Sequence, residues 1–258
     1  MVIGTRFRAC VVASTALAVF TTAACETDRP TDIEPAKQWS VSFQWDGADP
    51  AVDLSTPAIR AIRGAVESDA IEVGIGKPYT YPGYIEAAGL NRTIGGEAWT
   101  DDPADPVGTL RLKIVVREVT PTSVDTVVCR DETGVTRSAG GRYPLPPTTQ
   151  AYGLWATRVS VERADSPNQT SAAIPSYAAV TLREPTSPEM TGPPGRSPRP
   201  DEDIFGGWKI SEYEGDYSIA TRSLCMPWIE QLWGGANPPA PARTETEPPA
   251  IEPFYPGW

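Results

Sequence analysis

Hydrophobic and polar positions alternate most regularly over 109–119, where Leu110, Leu112, Ile114 and Val116 share one parity and Arg111, Lys113 and Arg117 the other. A period of two predicts a strand with one buried and one wet face. Thr120-Pro121-Thr122-Ser123 supplies a turn, and Val124 to Arg130 runs back as the hairpin partner. Further strands are predicted at 152–163 around Trp155, Val159 and Val161, at 177–183 around Val180 and Leu182, and at 205–213. Upstream the period lengthens to three and four: Ile59, Ile62, Val66 and Ala70 mark one face of a helix over 56–72, with Thr56 suited to its cap and Pro57 to its first turn. Gly74 to Gly83 breaks that helix, and Tyr84 to Leu90 predicts a short second one. Helices first and a mostly antiparallel, curved sheet of four to five strands afterwards is an α+β arrangement.

The N-terminus follows a different pattern. Arg6 and Arg8 precede an apolar run from Ala9 to Phe20, and Thr21-Thr22-Ala23-Ala24-Cys25 closes it with small residues. That is the layout of a secretory signal. Ala9 to Ala24 is too short for a membrane span, which needs about 20 apolar residues. Thr22-Ala23-Ala24-Cys25 resembles a bacterial lipobox, with Thr22 where the family usually has an aliphatic residue. The resemblance implies cleavage before Cys25 and diacylglycerol on its sulfur, which anchors the chain to the outer face of the cytoplasmic membrane; an ordinary secretory signal is the alternative. Residues 1–24 are therefore expected to be a signal peptide and 25–50 a lipidated, flexible tether, acidic at Glu26, Asp28, Asp32 and Glu34. A single domain is expected over 51–233, and a disordered, Pro-rich tail over 234–258 that ends in Phe254-Tyr255-Pro256-Gly257-Trp258.

Charge and composition narrow the chemistry. Without the signal, Lys plus Arg falls from 22 to 20 against 33 acids, a net charge of −13. Nucleic acid is an unsuitable partner for such a surface. No histidine is present, so triads, Cys-His dyads and imidazole metal sites are excluded. The acidic runs Asp101-Asp102 and Asp201-Glu202-Asp203 lack a calcium-loop pattern and read as solvated turns. Gly74-Ile75-Gly76 is followed at once by Pro78 and led in by no strand, so it is not a nucleotide fingerprint. No catalytic, metal or cofactor-binding residue is assigned, and no cofactor is expected. Cys10 leaves with the signal. Cys129 and Cys225 remain besides Cys25, and in an oxidising compartment an even pair reads as a disulfide, with two separate buried thiols as the alternative.

The order of elements resembles the NTF2-like, cone-shaped α+β fold. The Thr56 to Glu67 helix, the Tyr81-Pro82-Gly83-Tyr84 loop and the Val127-Val128-Cys129-Arg130 strand look like those of actinobacterial lipoproteins of uncharacterised function. The resemblance implies an interior between helix and sheet, but NTF2-like domains serve as enzymes and as binding or assembly modules alike, so fold alone assigns no activity. Three functions stay open. The first is a non-catalytic binding or scaffold module of the cell envelope, with an envelope or membrane protein as partner. The second is a small-molecule or lipid-binding lipoprotein, which needs an apolar cavity with a few convergent polar groups. The third is an enzyme using Asp, Glu or Tyr, which needs such a group buried there with a perturbed pKa.

Overall fold

A long helix lies across one face of a twisted, mixed sheet, and a second helix is pinned to the other face. A computed structural model describes residues 39–89, 106–149, 153–164, 195–235 and 240–258. The expected signal, Cys25 and the strand at 177–183 lie outside the described residues. All described residues fall within one compact unit, Ala36–Trp258.

The main sheet runs β1 (Ser40–Trp45), β2 (Pro106–Val119), β3 (Ser123–Asp131), β6 (Leu154–Arg163) and β7 (Trp208–Gly215), in that order. β4 (Val135–Arg137) pairs with the start of β2. Every pairing in it is antiparallel except β1 with β2. The fold is thus α+β with a mostly antiparallel sheet, as the periodicity predicts, and the hairpin β2–β3 turns at the expected Thr120–Ser123 segment, where Thr120 N–H donates to the Ser123 carbonyl at 2.9 Å. A separate two-stranded ribbon joins β5 (Tyr143–Leu145) to β8 (Arg243–Glu245).

Helix α1 (Pro57–Ile75) carries the apolar stripe read from sequence, yet Arg63, Glu67, Ser68 and Asp69 on its other sides are buried too. The sheet takes one side; the Ile204-Phe205 loop, the short helix α2 (Tyr84–Ala88) and the chain's last residues take the others. The helix stops at Gly76, whose φ of 112° suits glycine and strains any side chain. Tyr81 and Tyr84 are buried in the core, so the loop that carries them packs onto the domain. On the opposite face lies α3 (Ile219–Leu232), capped by the Ser218 hydroxyl accepting from Thr221 N–H at 3.2 Å. Of its residues only Cys225 and Ile229 are fully buried, against Val127, Cys129, Leu154 and Ala156 of the sheet.

Two expected boundaries are corrected. Residues 25–50 do not all belong to a tether, because Trp39, Val41, Phe43 and Trp45 alternate into the core and Ser40–Trp45 form β1. Nor is 234–258 a free tail over its described part. Its proline excludes long regular elements, but Phe254 is buried edge-to-face on Phe43, and Tyr255 exchanges backbone hydrogen bonds with Phe43 and Trp45 at 3.0 Å each. Burial of Phe254 and the backbone pairing of Tyr255 override a disorder-prone composition.

Candidate functional site

Two buried carboxylates project from α1 two residues apart, and each organises a polar cluster. Glu67 accepts hydrogen bonds from the Trp45 indole at 2.7 Å, the Tyr81 hydroxyl at 2.6 Å and the Trp258 indole at 3.1 Å. Arg63, one turn earlier, lies 3.9 Å from Glu67 and donates to the carbonyls of Leu54 and Gly257. Its guanidinium sits 4.2 Å from the centre of the Trp258 ring. Burial raises the Glu67 pKa, against the pull of Arg63 and of the three donors. Trp258 completes the donor set around Glu67.

Asp69 turns toward the sheet instead. Its Oδ2 accepts from the Tyr213 hydroxyl of β7 at 2.8 Å and lies 3.5 Å from the Arg130 guanidinium of β3, which also reaches Glu132 at 3.0 Å. Burial, and after it the Asp69 charge, pushes the Tyr213 phenol well above its ordinary range, with Arg130 opposing. For Arg130 burial acts downward, but Glu132, Tyr213 and Asp69 outweigh it and the guanidinium's pKa rises. Near neutral pH both groups keep their protons. Tyr213 is held as a neutral hydrogen-bond donor, the opposite of what a phenolate base requires.

This second cluster borders a cavity of about 750 Å³. The cavity opens where the C-terminal turns of α1, at Asp69, Ala70, Val73 and Gly74, leave the sheet uncovered. A Cβ on Gly74 would stand 2.5 Å from Trp39, so glycine lets that indole lie against the helix end. Val41, Leu110 and Val135 give the lining its apolar character, and Trp155 and Tyr217 meet edge-to-face at 5.2 Å on one side of it. Every strand of the main sheet contributes to the wall. An apolar hollow of this size, with few convergent polar groups, is what small-molecule sites look like.

Cys129 and Cys225 form a disulfide with Cα atoms 5.6 Å apart. It ties α3 to β3 on the far face and takes no part in the cavity. Among the described residues no group of three or more His, Cys, Asp or Glu side chains is placed to hold a metal ion, and no helix is long and apolar enough to cross a membrane. Sequence reasoning assigned no role to Asp69, Arg130, Glu132 or Tyr213. The available signal is Asp69 inside an apolar helix and Arg130 at even parity with Val124 and Val128 of its strand. Compared with protein-family models, with curated proteins and with solved structures, the chain finds no match in any of the three.

Proposed function

We propose that the chain is an exported lipoprotein, anchored through Cys25 at the outer face of the cytoplasmic membrane, that binds a small molecule in the cavity beneath α1 without transforming it. The observation that carries the reading is the 750 Å³ apolar hollow bordered by Asp69, Arg130 and Tyr213, which a domain serving only as a scaffold does not need. The helix lying over a mostly antiparallel sheet, with the hollow lined by both, also favours the NTF2-like reading. The lipobox-like Thr22-Ala23-Ala24-Cys25 and the even cysteine pair support export. A lipid anchor followed by an acidic segment would hold the domain near the bilayer without binding an anionic surface.

The binding claim is tested by native mass spectrometry of the full chain, taken from membranes into lipid discs, beside Val73→Trp, which fills the hollow from α1. The expected result is a copurifying mass on the parent chain that the variant loses. Identical spectra for both would defeat it. Anchoring is tested separately by metabolic labelling with a fatty-acid probe: Cys25→Ala should abolish the label, and equal labelling of both chains would sink the lipoprotein claim.

A further inference from the structure

The wall of the cavity draws Val41 from β1, Leu110 from β2, Arg130 from β3, Trp155 and Thr157 from β6 and Tyr213 from β7. These strands are neighbours in that order, so the lining crosses four interstrand gaps. At about 4.8 Å per gap the hollow runs roughly 19 Å across the sheet. Its 750 Å³ is thus drawn out into a groove, long and narrow.

The charges beside the groove answer one another. Arg130 lies against both Asp69 and Glu132, and the Tyr213 hydroxyl is spent on Asp69. Arg137, the other cation among the described lining residues, donates to the Gly74 carbonyl at 3.1 Å. Among the described lining residues two arginines and two carboxylates balance, leaving that surface no net charge to attract an ionic head, and burying an uncompensated charge against it is costly. Apolar burial is left as the holding force.

From the extent of the groove and its internal neutrality we infer that its ligand is a neutral, single-chain lipid, an acyl or isoprenoid chain with an uncharged head, lying extended across the strands. This rests on the cavity being a binding site at all. A chain advancing about 1.3 Å per bond, as an extended chain of three bonds per 3.8 Å does, spans the groove in about 15 bonds. The membrane that the Cys25 anchor would adjoin is a reservoir of such molecules.

The test is photolabelling of the full chain in phosphatidylcholine discs. Three probes share a 16-carbon, diazirine-bearing chain and differ in the head: a glycerol monoester, an alkyl sulfate and an alkyl trimethylammonium. The glycerol ester should label peptides of the groove at least tenfold more than either ion, and Val73→Trp should cut that label at least fivefold. Moving the diazirine from the head to the chain's end should carry the label from one side of the sheet to the other, between the Val41 and Tyr213 peptides. If an ionic probe labels the groove as strongly as the ester, neutrality is overturned while the binding cavity stands. If the label stays in one place whatever the diazirine position, the extended chain is overturned. If no probe labels the groove, or Val73→Trp changes nothing, the cavity reading fails and this inference with it.

Discussion

Glu67 and Asp69 stand two residues apart on one helix, both buried, and they differ in what closes over them. Around Glu67 the chain supplies three donors, Trp45, Tyr81 and Trp258, and the Arg63 guanidinium, so the carboxylate is sealed within protein. Around Asp69 the donors are a phenol and a guanidinium, and the next layer is a hollow. A buried carboxylate is tolerated when its hydrogen bonds are met, and both clusters meet that condition. The contrast lies in the surroundings. The first cluster encloses its carboxylate in protein donors and leaves a smaller hollow, about 260 Å³, beside Arg63; the second holds its side chains at the edge of the 750 Å³ cavity, which is the arrangement a binding site needs.

The largest effect should come from breaking the seal. Stopping the chain after Pro253 removes Phe254 from its place on Phe43, removes the Trp258 donor and exposes the Arg63–Glu67 pair. Loss of a buried Phe alone costs about 3–5 kcal/mol, and a buried carboxylate short of a partner adds to it. We expect about 5 kcal/mol in total, or a fall in Tm of about 10–20 °C at this chain size. Thermal melts decide it: an unchanged Tm would mean that the closed cluster is not closed by the C-terminus.

Next comes the opposite face, where α3 buries little and the disulfide holds it. Replacing Cys129 and Cys225 together by alanine should cost about 2–4 kcal/mol, the usual range for a native disulfide. The loss should be uneven: amide hydrogen exchange should speed in α3 while α1 keeps its protection. Equal loss of protection in both helices would show that the two faces unfold as one.

Much of this was legible beforehand, for identifiable reasons. Strands β2, β3 and β6 and helix α1 announce themselves by strict periodicity, and the cysteine pair by parity of number. β1 carries an equally clean alternation in Trp39 to Trp45, but it follows an acidic, proline-containing stretch that reads as tether. α3 was hidden because only two of its residues are buried, so it has almost no apolar stripe to detect. The cavity was illegible because no local pattern encodes an absence of side chains. It arises where α1 ends at Gly76 while the strands beneath continue.

A matched pair of substitutions sharpens the comparison at smaller magnitude. Tyr81→Phe and Tyr213→Phe each delete one hydroxyl that donates to a buried carboxylate. In the sealed cluster nothing replaces the lost bond, and the cost should be about 1–3 kcal/mol. Beside the hollow a water can take the place of the Tyr213 hydroxyl, so the cost there should be smaller, on the order of 1 kcal/mol or less. Urea titrations of the two variants give the order directly. If Tyr213→Phe proves the more damaging, Asp69 belongs to the closed core and the distinction drawn between the clusters collapses.

The smallest effect concerns a third carboxylate, which shows that burial sets the sign of the shift. Glu67 is raised by desolvation, whereas Asp216, at the surface before α3, is lowered to about 2 by hydrogen bonds from the Ser218 backbone and the Thr221 and Ser218 side chains, with Arg158 helping. A carboxylate with a depressed folded pKa contributes its full share above its unfolded value near 4 and loses it as pH falls through the folded one. The start of α3 should therefore loosen between about pH 4 and pH 2. Asp216→Asn keeps an acceptor for the Ser218 N–H but cannot titrate, so amide exchange at 218–222 should lose its dependence on acid across that window. An acid-induced loosening that survives in the variant would assign the effect to another group, and the cap of α3 would then owe nothing to the charge on Asp216.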